Sequence, residues 1–182
     1  MISLNLMASE LKLIFYFAYG SNMCSARLRD RVPSARPLAI GKITGYKLVF
    51  HKRSRDGSSK ANAYFTGRES DVVWGVIFVL DPGEKAELDN AEGLHYGYDE
   101  TTVTVTVTVT SGAGDVAAVM YYATDIDDNL LPYSWYVRFA VIGAREHSLP
   151  AHYVQSIERM AQTEDPDVRR DAENRAIGDD LV

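Results

Sequence analysis

The chain has 182 residues, 46% of them hydrophobic, enough for one well-buried core, and no Pro/Gly/Ser-rich linker divides it into separate domains. A formal net charge of -6, from 19 Lys and Arg against 25 Asp and Glu, argues against a phosphate backbone or an anionic lipid surface as its main partner. A single cysteine, Cys24, excludes an intramolecular disulfide and suits a reducing compartment, and no apolar run approaches the ~20 residues of a bilayer span.

The opening Met1–Leu6 lacks the basic and apolar regions of a signal peptide, so the expected location is cytoplasmic and residues 1–12 read as an N-terminal extension. Leu13–Tyr19 (LIFYFAY) is a dense apolar and aromatic run, the pattern of a buried strand. Gly20-Ser21-Asn22 stops it, and Met23–Arg31 follows as a short helix capped by Ser21 or Asn22. Pro33 and Pro37 break the chain before two strands, Leu38–Ile43 and Lys47–Phe50. His51–Lys60 is polar, with Asp56-Gly57 as a turn, and Ala61–Thr66 returns as a strand. Val72–Leu80 (VVWGVIFVL) is the strongest buried strand.

Asp81 and Pro82 open a helix as N-cap and first helical residue, and Gly93 stops it. Thr101–Thr110 alternates Thr and Val, which turns Val103, Val105, Val107 and Val109 to one buried face. After the turn 111–114, Val116–Ala123 is its hairpin partner. Pro132–Arg145 is apolar on most faces and reads as a buried helix, Ser148–Ala161 as an amphipathic one. From Thr163 the sequence is charged, without an apolar face, and residues 163–182 are expected to be a loosely packed, mobile tail. The class is α+β: a small mixed or antiparallel β-barrel flanked by helices, with the domain over 13–162.

Two places could carry chemistry. The junction Tyr16-Phe17-Ala18-Tyr19-Gly20-Ser21-Asn22 is a strand ending in a glycine turn at a helix start, which offers unpaired N–H groups to a carboxylate. The plainer reading is an ordinary connection in which Ser21 or Asn22 only caps. Glu92 sits at a helix C-terminus, where a carboxylate is electrostatically misplaced. It is either retained there for function or is one more solvated acid beside Glu84, Glu87 and Asp89. His51, His95, His147 and His152 lack metal-ligand spacing, so no metal is expected. Cys24 reads as a packed thiol, and Lys52, Arg53, Arg55 and Lys60 as a solvated hairpin loop rather than a nucleic-acid site.

The ordered set FAYGSNM, VWGVIFVL, LDNAEG and GAREHSLPAHYV resembles the γ-glutamylcyclotransferase family, with its AIG2-like or butirosin-BtrG-like fold, from about Phe15 to Met160. The resemblance implies a small β-barrel with flanking helices. It implies that Tyr19, Gly20, Ser21 and Asn22 hold the substrate's glutamyl end through backbone groups, with Tyr16, Phe17 and Ala18 lining the approach. It makes Glu92 the catalytic carboxylate and Tyr136 a substrate contact. Tyr98 resembles a further pocket tyrosine, although its spacing from Glu92 departs by one residue from the family pattern.

The implied reaction is a cyclisation. The substrate's own α-amine attacks its γ-carbonyl, releasing 5-oxoproline and an amino acid or amine, so no cofactor, serine or cysteine nucleophile is required. One carboxylate can take the proton from the amine and return it to the leaving nitrogen. The expected partner is a small γ-glutamyl compound, with no nucleic acid and no membrane, and a homodimer is left open. Glutathione turnover is one setting, and tailoring of a specialised metabolite is another. The YGSN turn leans toward γ-glutamyl amino acids. Two other classes compete: a non-catalytic small-molecule binder on the same fold, and an interaction domain using the Thr-rich strand as an open edge.

Overall fold

A computed structural model describes residues 13–109 and 112–179. Seven strands and five α-helices follow in the order β1 (Ile14–Ala18), α1 (Ser25–Arg31), β2 (Arg36–Thr44), β3 (Tyr46–Arg53), β4 (Ser59–Phe65), β5 (Val72–Leu80), α2 (Lys85–Glu92), β6 (Tyr98–Val109), β7 (Gly112–Ala123), α3 (Ser134–Glu146), α4 (Ala151–Glu158) and α5 (Val168–Asp179). The mixed α+β class and the barrel expected from the sequence are both present. Strands β1-β5-β2-β6-β7 form a closed barrel, and β3-β4 form a separate two-stranded ribbon.

The apolar runs form the barrel because each can be buried on both faces. β1 pairs antiparallel with β5, from Ile14 opposite Leu80 to Ala18 opposite Val76, and closes the barrel by a parallel contact of Tyr16 with Val119 of β7. The Thr/Val alternation works as expected: Val103, Val105 and Val107 are buried while Thr102 and Thr104 are exposed. The strand is longer than expected, since Tyr98–Glu100 also pair with Tyr121–Ala123. Gly112–Gly114 belong to β7 rather than to the turn, and residues 110 and 111 lie outside the described residues. So do residues 1–12.

Several boundaries differ from the sequence reading. Pro37 does not precede β2 but lies within it, at a register shift between Pro37 and Ala39 where the missing N–H is tolerated. The helix expected over Met23–Arg31 is split into a 3-10 turn, Ser21–Met23, and α1. Neither Ser21 nor Asn22 caps it; Cys24 occupies the N-cap position of α1 without a side-chain bond. The Asn22 side chain is committed elsewhere, as described below. Helix α4 begins only after Pro150, because Ser148 takes a left-handed φ of 57° and interrupts the helical path.

The basic hairpin is less solvated than its composition suggests. Lys52 is 9% exposed with its ammonium 4.9 Å over the Tyr98 ring. Lys60 pairs with Asp56 at 2.7 Å and lies over the rings of Tyr133, Trp135 and Tyr136. The ribbon is tied down over β7 through Ala123 N–H donating to Asn62 Oδ1 at 3.0 Å, which encloses these side chains.

The charged C-terminal segment differs from the expectation of a loosely packed tail. Asp165 is buried and accepts a hydrogen bond from Trp135 Nε1 at 2.8 Å. Arg170 closes a two-pronged pair on the same carboxylate, at 2.6 Å to each oxygen. Helix α5, polar on all faces, is laced by i,i+4 pairs Arg169–Glu173 and Arg175–Asp171. Its anchor is this acid, not an apolar stripe.

Candidate active site

The site forms where β1 leaves the barrel. The strand delivers Tyr16, and the chain then turns through Gly20 into the 3-10 turn Ser21–Met23, whose first hydrogen bond runs from Met23 N–H to Gly20 O at 3.0 Å. The N–H groups of Ser21 and Asn22 precede that bond and have no partner within the turn. Helix α3 seats the turn. A Cβ at Gly143 would stand 2.2 Å from the Met23 carbonyl carbon, so only glycine lets the helix approach this closely.

Glu92 arrives from the other side, as the last residue of α2. Gly93 ends that helix in the left-handed conformation (φ 74°, ψ 48°), returning its N–H to Asp89 and Asn90 carbonyls. The helix end disfavours a carboxylate by ~0.3–1 kcal/mol. Two donors offset this: Tyr16 hydroxyl at 2.8 Å and Asn22 Nδ2 at 2.6 Å, both to Glu92 Oε1. Hydrogen bonds to a charged group contribute ~1.5–3 kcal/mol each, so the pair outweighs the unfavourable dipole. Among the described residues, no donor is directed at Oε2. Glu92 is therefore not one more solvated acid of the last turn.

The orientation of Asn22 follows from its neighbours. Arg31 Nη1 donates to Asn22 Oδ1 at 2.9 Å. Guanidinium only donates and carboxylate only accepts, so the amide between them has one satisfactory orientation. Burial first, and then the adjacent Glu92 carboxylate, push the Tyr16 phenol well above its ordinary range, which keeps it a donor.

A small pocket, open on one side, is lined by Tyr16, Tyr19, Gly20, Ser21, Asn22, Ala61, Glu92, Tyr98, Tyr121 and Tyr136. The structure thus brings together eight of the ten residues singled out in the sequence. Phe17 and Ala18 are buried but do not line the pocket; Phe17 packs in the core against Tyr19. Tyr98 donates to Ala61 O at 2.5 Å, while Tyr136 hydroxyl accepts from Ala61 N–H at 3.1 Å. Burial raises the pKa of both phenols.

Arg31, Ala61 and Tyr121 were missed from sequence. Alternation places Val116, Ala118 and Met120 in the core and Tyr121 on the opposite face, where it is nonetheless covered by Tyr16 (ring centroids 5.9 Å apart) and bonded to Asp89. No local signal marks it. Among the described residues, no three His, Cys, Asp or Glu gather as metal ligands, and no helix is long and apolar enough to cross a membrane. The Cys24 thiol is fully buried and its pKa is raised by that burial, which fits a packing role.

Residues 72–157 match the model of the AIG2-like family. The γ-glutamylcyclotransferase of Homo sapiens is 27% identical over 148 residues, 80% of this chain and 77% of its own length. That of Bos taurus is 28% identical over 145 residues, 78% of this chain and 76% of its own. A solved γ-glutamyl cyclotransferase superposes with a TM-score of 0.81 at 25% identity, over 92% of this chain and 99% of that one. The resemblance read in the sequence is borne out, and with it an enzyme of the γ-glutamylcyclotransferase class.

Proposed function

We propose that this enzyme converts a γ-glutamyl amino acid or γ-glutamyl amine to 5-oxoproline and the free amino acid or amine, with Glu92 as general base and then general acid. The observation that carries the reading is the placement of Glu92 at the pocket wall, one oxygen held by Tyr16 and Asn22. The free N–H groups of Ser21 and Asn22 suit the α-carboxylate of the glutamyl end. The substrate's α-amine, ~8 or higher in pKa when free, must lose a proton to become nucleophilic. Glu92 Oε2 is available to take it.

The amine nitrogen then bonds to the γ-carbon as the carbonyl pair moves to oxygen, and the nitrogen, now positively charged, sheds a second proton, matched by the one the released amine takes up to become an ammonium. As the carbonyl re-forms, the bond to the leaving nitrogen breaks and Glu92 returns the proton there. Atoms balance without water: one γ-glutamyl compound gives one lactam and one amine. Ring closure gains its rate from holding both reacting atoms in one molecule. A cytoplasmic setting fits the buried, unpaired Cys24.

The test is incubation of the purified protein with a panel of γ-glutamyl amino acids and amines, with 5-oxoproline and the released amine quantified by mass spectrometry. Equal amounts of the two are expected. Free glutamate as the main product, or no product from any member, would overturn the reading.

A further inference from the structure

Two tyrosine walls of the pocket are bonded to one residue of the ribbon. Ala61 N–H donates to the Tyr136 hydroxyl at 3.1 Å, and Ala61 O accepts from Tyr98 at 2.5 Å. That carbonyl belongs to the peptide joining Ala61 to Asn62, so what holds Asn62 also holds the wall. The buried Asn62 amide is the middle of a chain of hydrogen bonds. Its Oδ1 accepts from Ala123 N–H of β7 at 3.0 Å, and its Nδ2 donates to His51 Nε2 at 2.9 Å. His51 Nδ1 then meets Asp128 Oδ1 at 2.9 Å.

The partners fix every proton in this chain. A backbone N–H only donates, so Oδ1 faces Ala123 and the amino group faces the imidazole. His51 Nε2 is therefore the bare, accepting nitrogen, and Nδ1 carries the proton that goes to Asp128. The imidazole is neutral in this arrangement. A second proton would strengthen the bond to Asp128 but set Nε2–H against the hydrogens of Asn62 Nδ2. Turning the amide over would only set Nδ2 against Ala123 N–H. The other groups around the ring do not offset this. Tyr64 meets it edge-on with centroids 5.8 Å apart, Asp125 and Asp127 pair with Arg53, and Lys52 lies over Tyr98. Leu130, Leu131 and Met160, which line the cavity beside His51, are apolar.

We infer that Asn62 is a positioning residue for the pocket, acting through Ala61 on Tyr98 and Tyr136, and that it holds them only while His51 is neutral. Acid then acts by a route separate from Glu92. Protonating His51 loosens the wall and raises KM, whereas protonating Glu92 removes the base and lowers kcat. The effect on KM rests on the cyclotransferase reading above; the proton positions do not.

The experiment follows KM and kcat for the best γ-glutamyl substrate from about pH 8 to about pH 5, the range over which histidines change charge. Wild-type KM is expected to rise by about 3–10-fold toward the acid end, the loss of one buried hydrogen bond. Asn62→Asp offers a carboxylate that still accepts from Ala123 N–H and now accepts from a protonated His51, so its KM should show no acid rise. His51→Gln, which cannot gain a proton, should lose the rise as well. Both variants should keep the acid limb of kcat. A wild-type KM that is flat with pH, or an acid rise retained in both variants, would overturn the inference. Should neither variant fold, heteronuclear NMR of the wild-type His51 ring decides. An unprotonated Nε2 at about pH 8, gaining its proton in step with the rise in KM, is expected, and an Nε2–H tautomer at that pH would overturn the inference. Absence of 5-oxoproline from every γ-glutamyl compound tested would instead overturn the cyclotransferase reading, and the NMR result alone would then judge the contact of Asn62 with His51.

Discussion

Asn22 and Glu92 stand 70 residues apart in the chain and are joined by a 2.6 Å hydrogen bond from the amide nitrogen to Oε1. The same amide accepts from Arg31, so a guanidinium on α1 fixes which end of Asn22 faces the carboxylate. Tyr16 supplies the second donor to the same oxygen. The carboxylate is held at one oxygen and open at the other, which suits a group that must accept and return a proton.

Asn22→Leu removes one charge-assisted bond and should lower kcat by ~10–100-fold, the kinetic equivalent of ~1.5–3 kcal/mol. Arg31→Met leaves the amide in place but frees it to turn, so its effect should be smaller and in the same direction. Steady-state kinetics of both variants, with thermal melts as a control for folding, check this. Equal kcat in wild type and Asn22→Leu would mean that Glu92 needs no such support.

Gly20 is required by space rather than by backbone conformation, since its φ is -115°. A Cβ there would meet Ala61 Cβ at 3.0 Å and the Tyr136 hydroxyl at 3.3 Å, two walls of the pocket. Gly20→Val should therefore raise KM strongly or abolish soluble expression. A soluble Gly20→Val with unchanged KM would place the substrate away from this turn.

Asp165 links the C-terminal segment to the body of the protein. Its hydrogen bond from Arg170 and those from Trp135 and the Asp167 N–H hold its carboxyl down to about 2, below the ~3.9 of an unfolded aspartate. The ionised form is the one favoured in the fold. Its contribution is fully present above about pH 4 and is lost as pH falls toward 2. Asp165→Asn should lower Tm at pH 7, and the gap to wild type should close as the pH drops through that window. Trp135 fluorescence, beside the changed group, offers an independent readout. A Tm gap that stays constant from pH 7 to pH 2 would contradict this assignment.

In the proposed cyclisation the substrate supplies its own nucleophile, so no activated water or Lewis acid is needed. Turnover of a γ-glutamyl substrate should survive EDTA and dialysis without loss. Activity that disappears with chelator and returns with a divalent ion would require a different mechanism.

Much of the fold was legible because barrel strands leave strong local marks. The run Val72–Leu80 became β5 with the expected ends, and Thr/Val alternation set the buried face of β6. The Gly93 stop was legible too, since caps obey local chemistry; Asp81 accepts from Gly83 N–H at 2.8 Å as a cap, but it opens the 3-10 turn Pro82–Glu84, and α2 itself starts only at Lys85. What failed depends on distant partners. The charge pattern of 163–179 carries no hint that Asp165 meets a tryptophan 30 residues earlier. Lys52 reads as solvated until the ribbon is laid over β7. In the site, Glu92 and the YGSN turn each had an ordinary reading when taken alone, and the family resemblance connected them. Arg31 and Tyr121 carry no such mark, because their roles arise from contacts with Asn22 and Tyr16 rather than from neighbours in the chain.

The most direct measurement is single-turnover formation of 5-oxoproline by wild type and Glu92→Gln on the best γ-glutamyl substrate. Glutamine keeps the size of the side chain and can still bond with Tyr16 and Asn22, but it cannot carry the proton. An intact fold, unchanged Tm within a few degrees, and a rate lower by ~10²–10⁴-fold, or ~3–5 kcal/mol of barrier, are expected. A well-folded Glu92→Gln that forms 5-oxoproline at nearly the wild-type rate would contradict it.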